Sequence, residues 1–436
     1  MSGMDQDIQA TFGASINTTN VLTSTSQPTH HILSGSFRSL SLFLLAFSPV
    51  NRSLWHVQTV PAFGPHQYVG LSYKKDRAYT TSWAQPPTLS SWAVIRDPGW
   101  HDWQLKHVNT VPITATSSYI TIPPPFRHVY SAGGPTGEVH NIDESTGGFG
   151  KKVDQLLFVS PHELPTADKT RVALRYGSHA FEFSPHGYAF IPVLGTNTIE
   201  TYVLVDDGSG RLKHLDSVSS PRPHDGPRHL VVSPDGNTLY VVTEHTNYLD
   251  VYSITASGAL EHVQSRSLLP AKLRTTEYDG HFRGDTLRLS PSTQDHPAPR
   301  YLFATTRGAS PETKGWLAAF ALGDNGHILG PQYDDDSSNA ELGAERWETP
   351  TSGGKANAID VIAMDPNRAD DSDAGVWIVL TDDEAVEHGQ PGVRVLEWRG
   401  WGMGGPQIVA EWPSVDFEAK AGEESMRGGS HAVWLD

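Results

Sequence analysis

His179-Ala-Phe-Glu-Phe-Ser-Pro-His-Gly187 and Arg228-His-Leu-Val-Val-Ser-Pro-Asp-Gly236 are two copies of one pattern, and their spacing decides the fold. Each opens on an apolar strand-length run and ends in Ser-Pro-x-Gly, a turn in which proline presets φ and glycine accepts a positive φ. Ser184 and Ser233 lie 49 residues apart. Three more strand-length segments follow each turn, at 239–244, 248–252 and 258–263 in the second copy. A four-stranded unit with a period of about 40–50 residues is a propeller blade.

Outward from this pair, weaker copies span 66–111, 114–159, 285–333 and 357–413. A seventh copy is split between the chain ends. His431-Ala-Val-Trp-Leu-Asp436 supplies its first strand, and His30-His-Ile-Leu33 with Leu42-Phe-Leu-Leu-Ala-Phe47 supply later ones. Such closure leaves no free sheet edge. The expected fold is all-β, a single seven-bladed β-propeller over 29–436. A polar disordered tail is expected over 1–28, and excursions at blade junctions over 160–177, 269–284 and 334–356.

Composition excludes several function classes. Gly (40) and Pro (31) run through a chain that is 37% apolar, as many short strands and tight turns require. The net charge is −17, with no Lys/Arg-rich run, so neither nucleic acid nor an anionic membrane is an expected partner. Cysteine is absent, which removes disulfides, thiolate catalysis and Cys-ligated zinc. The apolar run 40–47 is too short for a membrane helix and reads as a buried strand. The first residues lack the pattern of a signal peptide, so a cytoplasmic protein is expected. No Gly-x-Ser-x-Gly elbow, Walker loop, His-Glu-x-x-His helix or dinucleotide fingerprint occurs. The expected partner is a small-molecule substrate, with no cofactor and no metal.

Aligning the repeats places candidate chemistry. The start of strand one and the end of strand two of a blade meet at the same mouth, because the two are antiparallel. That puts His179, Arg228, Asp285, Asn357 and His431 at strand-one starts, and Trp83, Gly195, Glu244, Arg307 and Asp382 at strand-two ends. His179, Arg228, Glu244 and Arg307, from three consecutive blades, form the candidate catalytic set. The arginines suit an anion and developing negative charge, while His or Glu suits proton transfer. Trp83, Arg283, Lys355, Asn357, Asp382 and His431 are the candidate substrate contacts. Plainer readings stand beside these. Glu244 with Arg228 or Arg307 also fits an interblade ion pair, and His431 and His30-His31 fit packed histidines of the closing blade. Asp334-Asp335-Asp336 reads as a solvated loop, and Asp382-Asp383 as either mouth or loop.

The chain resembles the fungal 3-carboxy-cis,cis-muconate cyclases, propeller lactonising enzymes related to the lactonases, over roughly 28–436. The resemblance rests on Pro28-Thr-His-His-Ile-Leu-Ser-Gly35, Ser178-His-Ala180, Gly226-Pro-Arg-His229, Pro350-Thr-Ser-Gly-Gly-Lys-Ala-Asn-Ala358 and His431–Asp436. It implies the same four residues, His179, Arg228, Glu244 and Arg307, as the active site. It also implies a metal-free ring closure in which a carboxylate adds across a conjugated alkene. Related lactonase propellers can instead use a divalent ion held by carboxylates and Asn. Three departures stand out. The stretch Trp83–Trp92 carries no cations where the family has a Lys pair. Pro112-Ile-Thr-Ala-Thr-Ser117 replaces a Gly-His-Pro-Arg stretch, and Lys355 replaces a histidine. They imply a less charged, more lipophilic substrate than a tricarboxylate.

Three functions follow. The first is a diverged cyclase of fungal secondary metabolism, with dehydration to a quinone methide and hetero-Diels–Alder cycloaddition to an apolar alkene, as in tropolone–sesquiterpene pathways, as its further step. The second is carboxymuconate lactonisation in aromatic catabolism. The third is a non-catalytic propeller scaffold, since a fold by itself assigns no function.

Overall fold

Both Ser-Pro-x-Gly segments close as turns. Gly187 N–H donates to Ser184 O at 3.1 Å and Gly236 N–H to Ser233 O at 2.8 Å. Both glycines have positive φ, 83° and 77°. At Gly236 the need is also steric, since a Cβ there would lie 2.8 Å from the Pro185 ring of the preceding blade. The same turn chemistry thus shapes one blade and seats it on its neighbour.

The computed structural model describes residues 28–65, 68–96, 103–292, 297–330, 342–365, 375–384, 392–414, 419 and 422–436. They form seven four-stranded antiparallel sheets. Blade 1 orders Ala432–Trp434, His30–Ser34, Ser41–Ser48 and Ser53–Pro61 from the inside outward. Leu33 pairs with Val433 and Ile32 with Trp434, so both chain ends complete one blade, as expected from the split repeat. Blades 2 to 5 begin at Val69, Ser117, Glu182 and Pro227, and blades 6 and 7 at Phe282 and Ile359. Among the described residues the only helices are short 3₁₀ turns, and none is long and apolar enough to cross a membrane.

The middle strands of the blades are buried along their length because each blade is covered on both faces. Ser41–Ser48, Thr238–Thr243 and Val376–Thr381 are buried throughout, while the outermost Leu212–Ser219 is mostly exposed. The core is accordingly a ring of interblade clusters. Phe43 and Phe47 of blade 1 pack with Trp377 and Val379 of blade 7, and Tyr240 and Val242 of blade 5 with Leu302 and Phe320 of blade 6.

Blade 6 departs from the expected boundaries. Its first strand starts at Phe282 rather than 285, and its fourth is Ala344–Glu348, inside the stretch expected to be a junction excursion. The long insertion therefore falls between the third and fourth strands of one blade. Alignment by repeat length alone ends the blade too early. The tail expected over 1–28 falls, but for Pro28, outside the described residues, and so does Asp334–Asp336.

Candidate active site

Blade 5 supplies two of the four candidate catalytic residues. Arg228 lies in Pro227–Val232, and Glu244 follows the end of Thr238–Thr243. Pro227 pairs with Thr243, which puts the two side chains at one mouth. Gly284 brings blade 6 against them: a Cβ there would lie 2.1 Å from the Thr243 carbonyl oxygen, so only glycine permits the approach. Its N–H donates to Glu244 O at 3.0 Å, which fixes Arg283 and Asp285 beside the carboxylate. Arg307 arrives from the second strand of blade 6, Tyr301–Gly308.

The two arginines bracket one carboxylate. Arg228 Nε donates to Glu244 Oε2 at 3.0 Å, and Arg307 Nη2 to Glu244 Oε1 at 3.1 Å. Beneath them, Arg228 Nη1 donates to Asp285 O at 2.6 Å and lies 2.7 Å from Asp285 Oδ1. Arg307 Nε lies 3.5 Å from the same oxygen. Burial by itself would raise the Glu244 pKa, but Arg307 and Arg228 outweigh it and hold the carboxyl at about 2. Glu244 is therefore a carboxylate at neutral pH with no proton to give. Its direct effect is to hold the guanidinium planes in place.

His179 precedes the first strand of blade 4. Its Nε2 lies 3.0 Å from Leu174 O, an acceptor, so Nε2 carries the proton and Nδ1 is the basic nitrogen. Burial, then the charge of Arg228, lowers its pKa to about 3 against the opposing pull of Glu244. The ring is neutral at pH 7, and an anion bound beside it would raise its pKa.

All four residues line a mouth cavity of about 830 Å³, together with Trp83, Arg283 and Lys355. Trp83 stacks on Phe37 with centroids 4.4 Å apart, and Arg171 sits 5.0 Å over its ring. Lys355 Nζ lies 5.9 Å from the same ring and 4.0 Å from Asp383. Burial depresses the Lys355 pKa, with Asp383 opposing.

The other three expected substrate contacts lie away from this cavity. Asn357 is buried, and its amide donates to Thr306 O and Thr349 Oγ1 at 2.9 and 3.1 Å. Asp382 is buried against Arg394 Nη1 at 2.5 Å, and Asp383 against Arg38 Nε at 2.9 Å, so the pair is a buried loop after Val376–Thr381 and does not line the mouth cavity. His431 sits deeper in the channel, stacked on Tyr68 at 3.8 Å and 3.2 Å from Arg288 Nη2. It borders only a recess of about 30 Å³ below the mouth, which it shares with His179 and Arg228. The repeat register brings His179, Arg228, Glu244 and Arg307 to one mouth. It does not tell which way a side chain turns once a neighbouring blade offers an internal partner. His31 stacks on Trp103 at 3.8 Å, a packed histidine of the closing blade.

Repeat alignment misses Arg171 and Arg175. Both line the mouth from a 3₁₀ turn, Arg171–Arg175, in the excursion between blades 3 and 4. Lying outside any blade, they have no register to be read from. Among the described residues six cations line the cavity (Arg171, Arg175, Arg228, Arg283, Arg307 and Lys355) against one carboxylate, Glu244. Blades 2 and 3 contribute none of these cations. The same arrangement does not fit a divalent metal centre. Glu244 and Asp285 each face both arginines, which would repel a dication, and among the described residues no group of three or more His, Asp or Glu could hold a metal.

Comparison with known proteins agrees with this architecture. Residues 32–331 match the family model described as "Lactonase, 7-bladed beta-propeller". Muconate cycloisomerase 1 of Cutaneotrichosporon cutaneum is 29% identical over 363 residues, covering 81% of this chain and 88% of that one. The carboxy-cis,cis-muconate cyclase of Neurospora crassa is 28% identical over 214 residues, about half of each chain. The periplasmic gluconolactonase of Pseudomonas aeruginosa superposes with a TM-score of 0.67 at 17% identity, over 94% of this chain and 99% of that one. With its split closing blade and its arginine-bracketed mouth, the chain belongs to the seven-bladed β-propeller lactonase family.

Proposed function

We propose that the protein is a ring-forming cyclase acting on a small, conjugated, oxygenated substrate that carries at least one anionic oxygen. The observation that carries this reading is the charge of the mouth. Six cations and one carboxylate line the cavity of a chain whose net charge is −17. Such a reversal concentrates positive potential where an anion would bind, and low-dielectric walls focus it.

In this reading Arg228 and Arg307 are held by Glu244 and Asp285 before substrate arrives, so they stabilise developing enolate or carboxylate charge without reorganising. An oxygen of the substrate adds to a conjugated carbon, the electron pair moves toward the arginine-bound oxygen, and a proton is delivered to the adjacent carbon. His179 carries that proton, taken up as the anion binds.

Two finer readings share this chemistry. Lactonisation of a carboxymuconate is favoured by the cation count and by the names of two relatives. Dehydration to a quinone methide followed by hetero-Diels–Alder addition to an apolar alkene, in secondary metabolism, is favoured by the apolar wall of Phe37, Trp83 and Leu194. There the protein would contribute mainly orientation, about 7–11 kcal/mol at most.

The test is incubation of purified protein with 3-carboxy-cis,cis-muconate, with product identified by NMR. Turnover that disappears in Arg307→Ala assigns lactonisation. Binding without turnover, lost in the same variant, keeps the mouth as an anion site and removes carboxymuconate as its substrate. If neither binding nor turnover responds to Arg307→Ala, the mouth is not a substrate site and the scaffold reading stands.

A further inference from the structure

The excursion over residues 160–177 does more than carry two arginines to the mouth. Its 3₁₀ turn stands between the mouth cavity and a second hollow of about 690 Å³ in the cleft between blades 3 and 4. Arg171, Leu174 and Arg175 line the mouth cavity, whereas Ala173 lines the second hollow. Val172, Tyr176 and Gly195 line both, so the two spaces meet at these residues.

The second hollow differs from the mouth in chemistry. Pro135, Leu157, Phe158, Val159 and Val193 form an apolar bed, and among the described residues no cation lines it. Its carboxylates are occupied: Glu163 accepts from Ser160, Asp168 from the Thr170 N–H, and Glu200 from Thr198, Ser217 and His214. A polar ligand would find few open partners here, and an apolar one would displace water from carbon surface. At the boundary the Gly195 N–H donates to Tyr176 O at 3.1 Å, which ties the turn to blade 4, so a ligand would cross over the Val172 and Tyr176 side chains. Val172 and Tyr176, 47% and 69% exposed, line both spaces and so carry apolar surface from the mouth to the hollow.

We propose that this hollow is a subsite for a hydrocarbon arm of the same ligand whose anionic head lies among the arginines. The inference rests on the reading of the mouth as an anion site, and it makes the natural substrate an amphipathic anion. A compact polycarboxylate would leave the hollow empty.

The experiment compares sorbate (2,4-hexadienoate) with 2,4-tetradecadienoate by calorimetry, using full-length protein and keeping the long homologue monomeric. Each methylene fully buried strengthens binding about fourfold, so the long homologue should bind about tenfold tighter or more even with few of its eight extra methylenes buried. Val159→Glu and Thr196→Trp, one charging the bed and one filling it, should reduce that ratio to about threefold or less. Thermal denaturation of each variant checks that the propeller persists. Equal affinities in the native protein, or a ratio untouched in both folded variants, would overturn the subsite while leaving the mouth intact. Sorbate that does not bind, or binds equally to Arg307→Ala, overturns the reading of the mouth and this proposal with it.

Discussion

Replacing Glu244 by glutamine removes the charge that Arg228 and Arg307 share and keeps the shape of the side chain. The structure sets the size of the effect. A carboxyl held at about 2 in the folded chain, against an ordinary value of 4.5, favours folding of the charged form. At about 1.4 kcal/mol per pH unit, that is about 3 kcal/mol. Because the folded value is depressed, this stability is complete above pH 4.5 and is lost as pH falls through 2. At pH 3 about half of it remains. Glu244→Gln should therefore cost about 3 kcal/mol at pH 7 and about half as much at pH 3. Asp285, which stays beneath both guanidinium groups, makes these figures ceilings. Urea denaturation of both proteins at the two pH values measures the difference directly. A cost equal at pH 7 and pH 3 would refute the reasoning, since it would mean that shape rather than charge is lost. The same variant should bind an anion such as sorbate more tightly, because its mouth loses the one carboxylate among its lining residues.

Burial holds His179 at about 3 and His229 and His431 well below 6.5, so the folded chain excludes protons that the unfolded chain binds. Stability should be complete above about pH 6.5 and fall below it, and His179→Gln should flatten that fall in denaturation midpoints between pH 7.5 and 5.5. Binding of sorbate near pH 6 should take up protons, seen as a heat that varies with buffer ionisation enthalpy; zero uptake would remove His179 as the proton carrier. Arg171→Ala and Arg175→Ala should weaken sorbate binding, more so at low salt, and leave the unfolding midpoint unchanged. Asp382→Asn should do the reverse, costing up to about 3 kcal/mol of stability because the buried Arg394 keeps only the more exposed Glu411 as an ion-pair partner, while sorbate affinity stays the same.

The four candidate catalytic residues were legible because each occupies an equivalent place in a repeat. Glu244 and Arg307 each follow a threonine, Thr243 and Thr306, paired with Pro227 and Gly284 of the first strand, and sequence spacing suffices to see it. Asn357 and Asp382 occupy equivalent places too, yet one is consumed by Thr306 and Thr349 and the other by Arg394. Register places a residue along its strand, whereas side-chain direction follows from which partner a neighbouring blade presents. Arg171 and Arg175 were illegible for the opposite reason, since they face the mouth from outside any repeat.

Sequence alone determined the seven blades, their closure through both chain ends, and the mouth at which His179, Arg228, Glu244 and Arg307 gather. These are consequences of local turn chemistry and a two-residue strand period, both written in adjacent residues. Only the tertiary structure decided the charge of that mouth, the protonation of its groups and the apolar hollow beside it. Charge, pKa and hollow arise from side chains brought together across blades and from an excursion folded over them, and burial among distant neighbours has no signature in local spacing.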